Sequence, residues 1–149
     1  MKSDQVKWRK VRGKPVLGRF TVYAKPEPQG SSRAFIPRGW KRPIVTSDNK
    51  GLKSYRQQVS IEAMSMMREH GLEPIPAKQA VSLTLRFFFK RPKSKSKRAA
   101  PTVRPDIDKV CRSVGDALSG ICYQDDSQIT RLVAEKFYDQ PERTEIEVE

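Results

Sequence analysis

The stretch RPDIDKVCRSVGDALSGICYQDDSQ, residues 104–128, decides how the rest of the chain is read. It holds five aspartates. Pro105 suits the edge of a helix and not its interior, because it lacks an amide proton. Asp106 follows as an N-cap, its carboxylate able to accept free amides of the first turn. From there Ile107, Val110, Cys111, Val114, Ala117 and Leu118 recur at helical spacing and predict one apolar stripe. Gly120 is a natural C-terminal stop. Asp108, Arg112 and Asp116 follow at i, i+4 and i+8, so they share a polar ridge on the open side of the helix.

Two carboxylates at the mouth of a buried helix, Asp106 and Asp108, are a poor device for solubility. A second acidic pair, Asp125 and Asp126, arrives after a short turn and ahead of the apolar run that begins at Ile129. With Asp106 in the non-helical cap position, its side chain can swing toward Asp108. Hard oxygen donors gathered in this way suit Mg²⁺, with Mn²⁺ as a substitute. The plain alternative is that Asp106 only caps and the second pair only marks a turn, where aspartate normally resides. The charge of the remaining chain argues against it.

The net charge is +13, which points to a polyanionic partner. Residues 1–50 carry a net +10, residues 51–104 a net +9 and residues 105–149 a net −6. A basic body around one acidic cluster is what a metal-dependent nuclease needs: cations grip phosphates, and carboxylates hold the metal where the bond breaks. No apolar run approaches the ~20 residues of a membrane span, and the basic N-terminus lacks the apolar core of a secretory signal. Cys111 and Cys122 form neither a metal-ligand spacing nor a disulfide framework, which fits a reducing cytoplasm. His70 alone cannot build a zinc site. A Ca²⁺-binding module would need an EF-type loop that the chain lacks.

Outward from the centre, residues 1–15 read as a flexible basic arm and 16–149 as a single domain. Leu17 to Ala24 alternates as a strand. Lys25 to Thr46, rich in Pro, Gly, Ser and cations, reads as a long loop. Its Arg33, Arg38, Lys41 and Arg42 favour phosphate contact, with Trp40 for base stacking. Ser54 to Gly71 places Tyr55, Val59, Ala63, Met66 and Met67 on one helical face. Val81 to Phe89 alternates most regularly of all, with Val81, Leu83, Leu85, Phe87 and Phe89 on one side and Phe88 on the other. Lys90 to Val103 is a low-complexity basic loop whose Lys90, Arg91, Lys93, Lys95, Lys97 and Arg98 stand just ahead of the acidic helix. Arg104 and Lys109 flank the acids and join the expected DNA contacts. Gln128 to Tyr138 and Thr144 to Glu149 read as strands. The order predicts an α+β fold, two main helices on a mixed sheet.

The string RPDIDK, then DAL, then YQDDSQI resembles the RusA family of Holliday-junction resolvases, common in bacteriophages and prophages. That family carries D-x-D at a helix start, D-A-L later on the helix, and D-D-[SA]-Q at the next strand. PEPQGSSRAF after FTVYA resembles its Pro/Gly/Arg-rich loop. The resemblance implies a RusA-like homodimer that resolves branched DNA by paired nicks in Mg²⁺. It also implies that Asp106, Asp108 and Asp126 are the catalytic metal-binding acids, with Asp125 beside them. Family members carry a catalytic lysine one turn after the second aspartate; here Arg112 occupies that position. Arginine clamps phosphate but does not deprotonate, so an electrostatic role is the one it keeps. Asp116 is expected to pair with Arg112. The alternative reading is a non-catalytic phage DNA-binding recombination protein with a degenerate or structural metal site.

Overall fold

The computed structural model describes residues 18–30, 32–47, 50–94 and 97–149. Its centre is the strand Val81–Phe89, here β4, whose period-two apolar set Val81, Leu83, Leu85, Phe87 and Phe89 is buried against the helices. The other strands of that sheet are β1 (Gly18–Val22), β5 (Ile129–Tyr138) and β6 (Arg143–Val148), in the order β1-β6-β4-β5. β4 runs parallel to β5 and antiparallel to β6, and β6 runs antiparallel to β1. A parallel neighbour requires a crossover between the two strands. The helix α2 (Ile107–Leu118) lies in that crossover, so the acidic motif is built into the connection that closes the sheet.

The helix α1 (Leu52–Glu69) buries Tyr55, Val59, Ala63, Met66 and Met67, and α2 buries Val110, Cys111, Val114, Ala117 and Leu118. Both stripes join the inward residues of β4, β6 and β1 in one core. Burying that much apolar surface is what holds the two layers together. Buried polar groups are paired within it: the Tyr55 hydroxyl lies 2.5 Å from Thr144 Oγ1, and Tyr123 donates to the Gly115 carbonyl at 2.8 Å. The expected α+β arrangement of two helices on a mixed sheet is therefore the one observed. No helix among the described residues is long and apolar enough to cross a membrane.

Two local expectations change, for the Lys25–Thr46 segment and for Ile107. Lys25 to Thr46 is not wholly loop, because β2 (Ser32–Phe35) and β3 (Ile44–Ser47) pair antiparallel as a separate hairpin. Its pairing rests on backbone bonds across a long turn, which leave little trace in side-chain alternation. Ile107 does not join the buried stripe; it is 38% exposed at the first helical position. Phe88 packs within the chain, stacked on Phe137 of β5 at 5.3 Å with the Arg143 guanidinium 3.8 Å above its ring. The Lys90–Val103 loop is held at points along its length: Arg91 lies 4.6 Å over the Tyr138 ring and bonds the Arg98 carbonyl. The expected basic arm, residues 1–15, lies outside the described residues.

Candidate active site

Asp106 caps α2 by backbone alone. Its extended conformation (φ −68°, ψ 139°) ends the preceding loop, and its carbonyl accepts the amides of Lys109 and Val110 at 3.2 Å each. The side chain makes no cap hydrogen bond and instead faces the Lys109 ammonium at 3.5 Å. The capping role expected of that carboxylate is thus not the one seen: a cation one turn away draws it outward, and it stays exposed. Asp108 stands exposed in the first turn, where the helix dipole favours a negative charge. Its charge reaches Cys111, whose thiol is pushed up to about 11 by burial and then by Asp108.

Two flanking segments hold this helix start. On one side, residues 26–30 lie along α2: the Gln29 amide donates to the Lys109 carbonyl at 3.0 Å, and Ser113 Oγ donates to the Glu27 carbonyl at 2.7 Å. The Glu27 carboxylate also closes on the first turn of α1, where a Cβ on Gly51 would lie 2.8 Å from Oε1. On the other side, Lys136 of β5 donates from Nζ to the carbonyls of Val103 at 2.9 Å and Pro105 at 2.8 Å. Neither anchor stood out in the sequence. Lys136 could have been found, since it alternates with Ala134 and Tyr138 on the side of β5 that faces the helices, an unusual place for a lysine.

The second acidic pair sits on a 3-10 turn, Asp126–Gln128, organised by the buried Gln128. The Gln128 side-chain oxygen accepts the Gln124 and Asp125 amides at 2.9 and 3.0 Å. Its nitrogen donates to the carbonyls of Pro76 at 2.8 Å and Gln79 at 3.1 Å. Asp125 takes a hydrogen bond from Ser127 Oγ at 2.5 Å, which holds its carboxyl below the ordinary range. Asp126 is pushed the other way, by partial desolvation and then by the nearby carboxylates of Asp125 and Asp116. Asp116 therefore faces Asp126, and its expected ion pair with Arg112 does not form. An i,i+4 pair on an open helix face gains only a few tenths of a kcal/mol, too little to fix the rotamer.

The aspartates thus form two groups. Asp106 and Asp108 stand at the start of α2, whereas Asp126 and Asp125 stand with Asp116 near its end. Eight residues separate Asp108 from Asp116, about 12 Å along the axis at ~1.5 Å per residue. Ligands of one Mg²⁺ lie within about 2.1 Å of the ion. Accordingly, no three His, Cys, Asp or Glu side chains among the described residues gather where they could hold one metal ion. The donors fit in kind, being hard and exposed oxygens, but one chain keeps them in two places.

The cations surround these groups. Arg104 and Arg112 are exposed and Lys109 is half-buried, while Lys90, Arg91, Lys93, Lys97 and Arg98 are exposed along the loop before α2. Arg38, Lys41 and Arg42 are exposed between β2 and β3, beside Trp40, which is 61% exposed. Arg33 is described by its backbone, paired with Thr46. Lys95 lies outside the described residues.

With this geometry in hand, likeness to known proteins is informative. The family model described as "Endodeoxyribonuclease RusA" matches residues 25–149, which takes in both acidic groups, both basic loops and every described strand and helix except β1. An uncharacterized protein of Bacillus subtilis (strain 168), YqaN, is 33% identical across 86% of this chain and 92% of its own length. The crossover junction endodeoxyribonuclease rusA of Lactococcus phage r1t is 30% identical across 68% of this chain and 74% of its own.

Proposed function

The chain belongs to the RusA endodeoxyribonuclease family, and from that premise we propose that it is a Mg²⁺-dependent endonuclease that resolves four-way DNA junctions by paired nicks. The observation that carries the proposal is the position of two aspartate groups, exposed Asp106 and Asp108 at the start of the crossover helix and Asp125 and Asp126 on the turn beyond its end, bracketed by basic loops on an otherwise cationic body. The name of the phage r1t relative, a crossover junction endodeoxyribonuclease, points the same way.

In this reading Asp106, Asp108 and Asp126 hold the ion, with Asp125 beside them. Mg²⁺ held there would supply Lewis-acid polarisation of a phosphate and a lowered pKa for a water. The chain's own cations do the rest. Arg112, exposed one turn beyond Asp108, clamps a phosphate oxygen and offsets developing negative charge, and it does not serve as a proton donor because guanidinium does not deprotonate. Lys109 offsets the Asp106 charge at 3.5 Å, which lowers the repulsion a phosphate meets on approach. The Lys90–Arg98 and Arg38–Arg42 segments grip the arms of the junction.

The separation of about 12 Å between the acidic groups supports an assembly of two chains. A second copy that sets its Asp126 group beside the Asp106–Asp108 pair of the first completes a site from both. Two-fold symmetry then gives two such sites, one for each nick. The same separation is what a non-catalytic DNA-binding protein would keep, and cleavage distinguishes the two. A synthetic four-way junction incubated with the full chain should be nicked in opposing strands with Mg²⁺ and left intact without it. Asp106→Asn and Asp108→Asn should lower the rate by at least about 10²-fold while junction binding in Ca²⁺ is kept or tightened. Wild-type rates in both variants would overturn the assignment of the acids, and no cleavage by the unaltered chain would favour the non-catalytic reading.

A further inference from the structure

We propose that Lys136 is a positioning residue for the Asp106–Asp108 pair, a role that rests on the reading of those acids as metal ligands. Three observations carry it. First, Lys136 pairs across β4 with Phe87, a fully buried residue, so its side chain leaves the sheet on the helix side. Lys136 is half-buried there, and an ammonium drawn partly out of water gains from acceptors. Second, the acceptors it finds are the Val103 and Pro105 carbonyls, at 2.9 and 2.8 Å. Both belong to the segment just before α2, and the Pro105 carbonyl belongs to the peptide unit that Asp106 itself completes. Third, what this contact fixes is not fixed otherwise by the helix. Asp106 is the half-helical cap, and the residues before it lie outside the intrahelical ladder.

The physical consequence is leverage. β5 is tied along its length to the central strand, so Lys136 transfers the rigidity of the sheet to the backbone carrying Asp106. Charge-assisted bonds to carbonyls are among the stronger contacts a loop can receive. Moving the Pro105 carbonyl moves the Asp106 Cα with it, and a metal ligand displaced by about 1 Å is a poor one. Lys136 touches neither carboxylate in the structure's hydrogen bonds and acts through the backbone. It differs in this from Lys109, whose ammonium faces the Asp106 carboxylate itself at 3.5 Å.

The test compares the full chain with Lys136→Met, which keeps the stem and loses the donors, and with Lys136→Arg, which can still donate to two carbonyls. Four quantities are read: exchange of the Lys109 and Val110 amides, which report on the Asp106 carbonyl; Mn²⁺ affinity by calorimetry; single-turnover junction cleavage in Mg²⁺; and junction affinity in Ca²⁺. Lys136→Met should speed the two amides, weaken Mn²⁺ at least about tenfold, and slow cleavage at saturating junction at least about 10²-fold with junction affinity within about threefold. Lys136→Arg should recover most of each. A merely structural lysine would lower thermal stability without this split between rate and affinity. Unchanged amide exchange, or unchanged Mn²⁺ affinity, in Lys136→Met overturns the proposal. Should that variant not fold, Lys136→Gln carries the same comparison with a shorter, neutral donor. An unaltered chain that binds Mn²⁺ but cuts no junction refutes the proposed activity, and the exchange and Mn²⁺ measurements still decide the role of Lys136. An unaltered chain that binds no Mn²⁺ overturns both.

Discussion

A carboxylate set among other carboxylates keeps its proton to higher pH than one in water, and Asp126 is in that position through partial desolvation, Asp125 and Asp116. Between the ordinary carboxylate range and that raised folded value, the native chain therefore holds more of this proton than the unfolded chain does. Stability linked to Asp126 is fully present below the ordinary carboxylate range and is lost as pH rises through the raised folded value. Asp126→Asn removes that penalty, so without metal at pH 7 its melting temperature should rise by about 1 to 2 °C, and the gain should vanish near pH 3. Thermal melts at both pH values check this, and a lower melting temperature at pH 7 would mean that Asp126 supports the turn more than it strains it. The same substitution should abolish cleavage, as expected where stability is given up for function. Arg112 permits an equally local prediction. Arg112→Lys should keep cleavage within about tenfold and Arg112→Ala should lose at least about 10²-fold, because an electrostatic role survives a change of cation but not its removal. Full activity in Arg112→Ala would show that this position has no catalytic part.

At the scale of elements, the turn ahead of β5 depends on one side chain. Gln128 makes four hydrogen bonds, two to amides of residues 124–125 and two to carbonyls of residues 76 and 79. It thereby ties the acidic turn to the connection between α1 and β4. Gln128→Leu leaves those backbone groups without partners and should cost about 2–4 kcal/mol, measured by urea unfolding. The basic loop makes the contrasting case. Replacing Lys93, Lys95 and Lys97 by Ser should leave stability nearly unchanged and flatten the dependence of log K on log salt by up to ~3 units, at about 0.9 per phosphate contact. An unchanged slope would move the grip on DNA to Arg38, Lys41 and Arg42. Legibility at this scale follows burial. β4, α1 and α2 were plain in the sequence because one face of each is buried, which imposes a period of 2 or 3.6 on the residues. The β2–β3 hairpin was hidden because its bonds are backbone to backbone, with Ala34 and Phe35 exposed. The register shift between Val81 and Ser82 was hidden for a related reason: a one-residue irregularity belongs to the pairing of two strands.

For the whole molecule, the separated acidic groups predict complementation. A pair of chains, one carrying Asp106→Asn and the other Asp126→Asn, places both substitutions in one composite site and leaves the other intact. Co-refolding the two inactive proteins should restore nicking of one strand per junction, to roughly a quarter of wild-type total cleavage for random pairing of two-fold assemblies. No recovery would mean that each chain assembles its own site. The residues alone settled the mixed sheet with two helices, the segregation of charge and the acidic motif with its family likeness, since periodicity, net charge and short spacings are local properties. Only the tertiary structure decided which of those acids are neighbours and what holds them. Asp126 meets Asp116 and not Asp106 because α2 runs about 18 Å at ~1.5 Å per residue between the two ends of β5. Lys136 meets Pro105, 31 residues earlier, because β5 lies parallel beside β4 and brings its far end to the start of α2. Contacts across such distances in sequence arise from strand pairing, whose register depends on the fit of one buried face against another, and no short window of residues contains both sides of that fit.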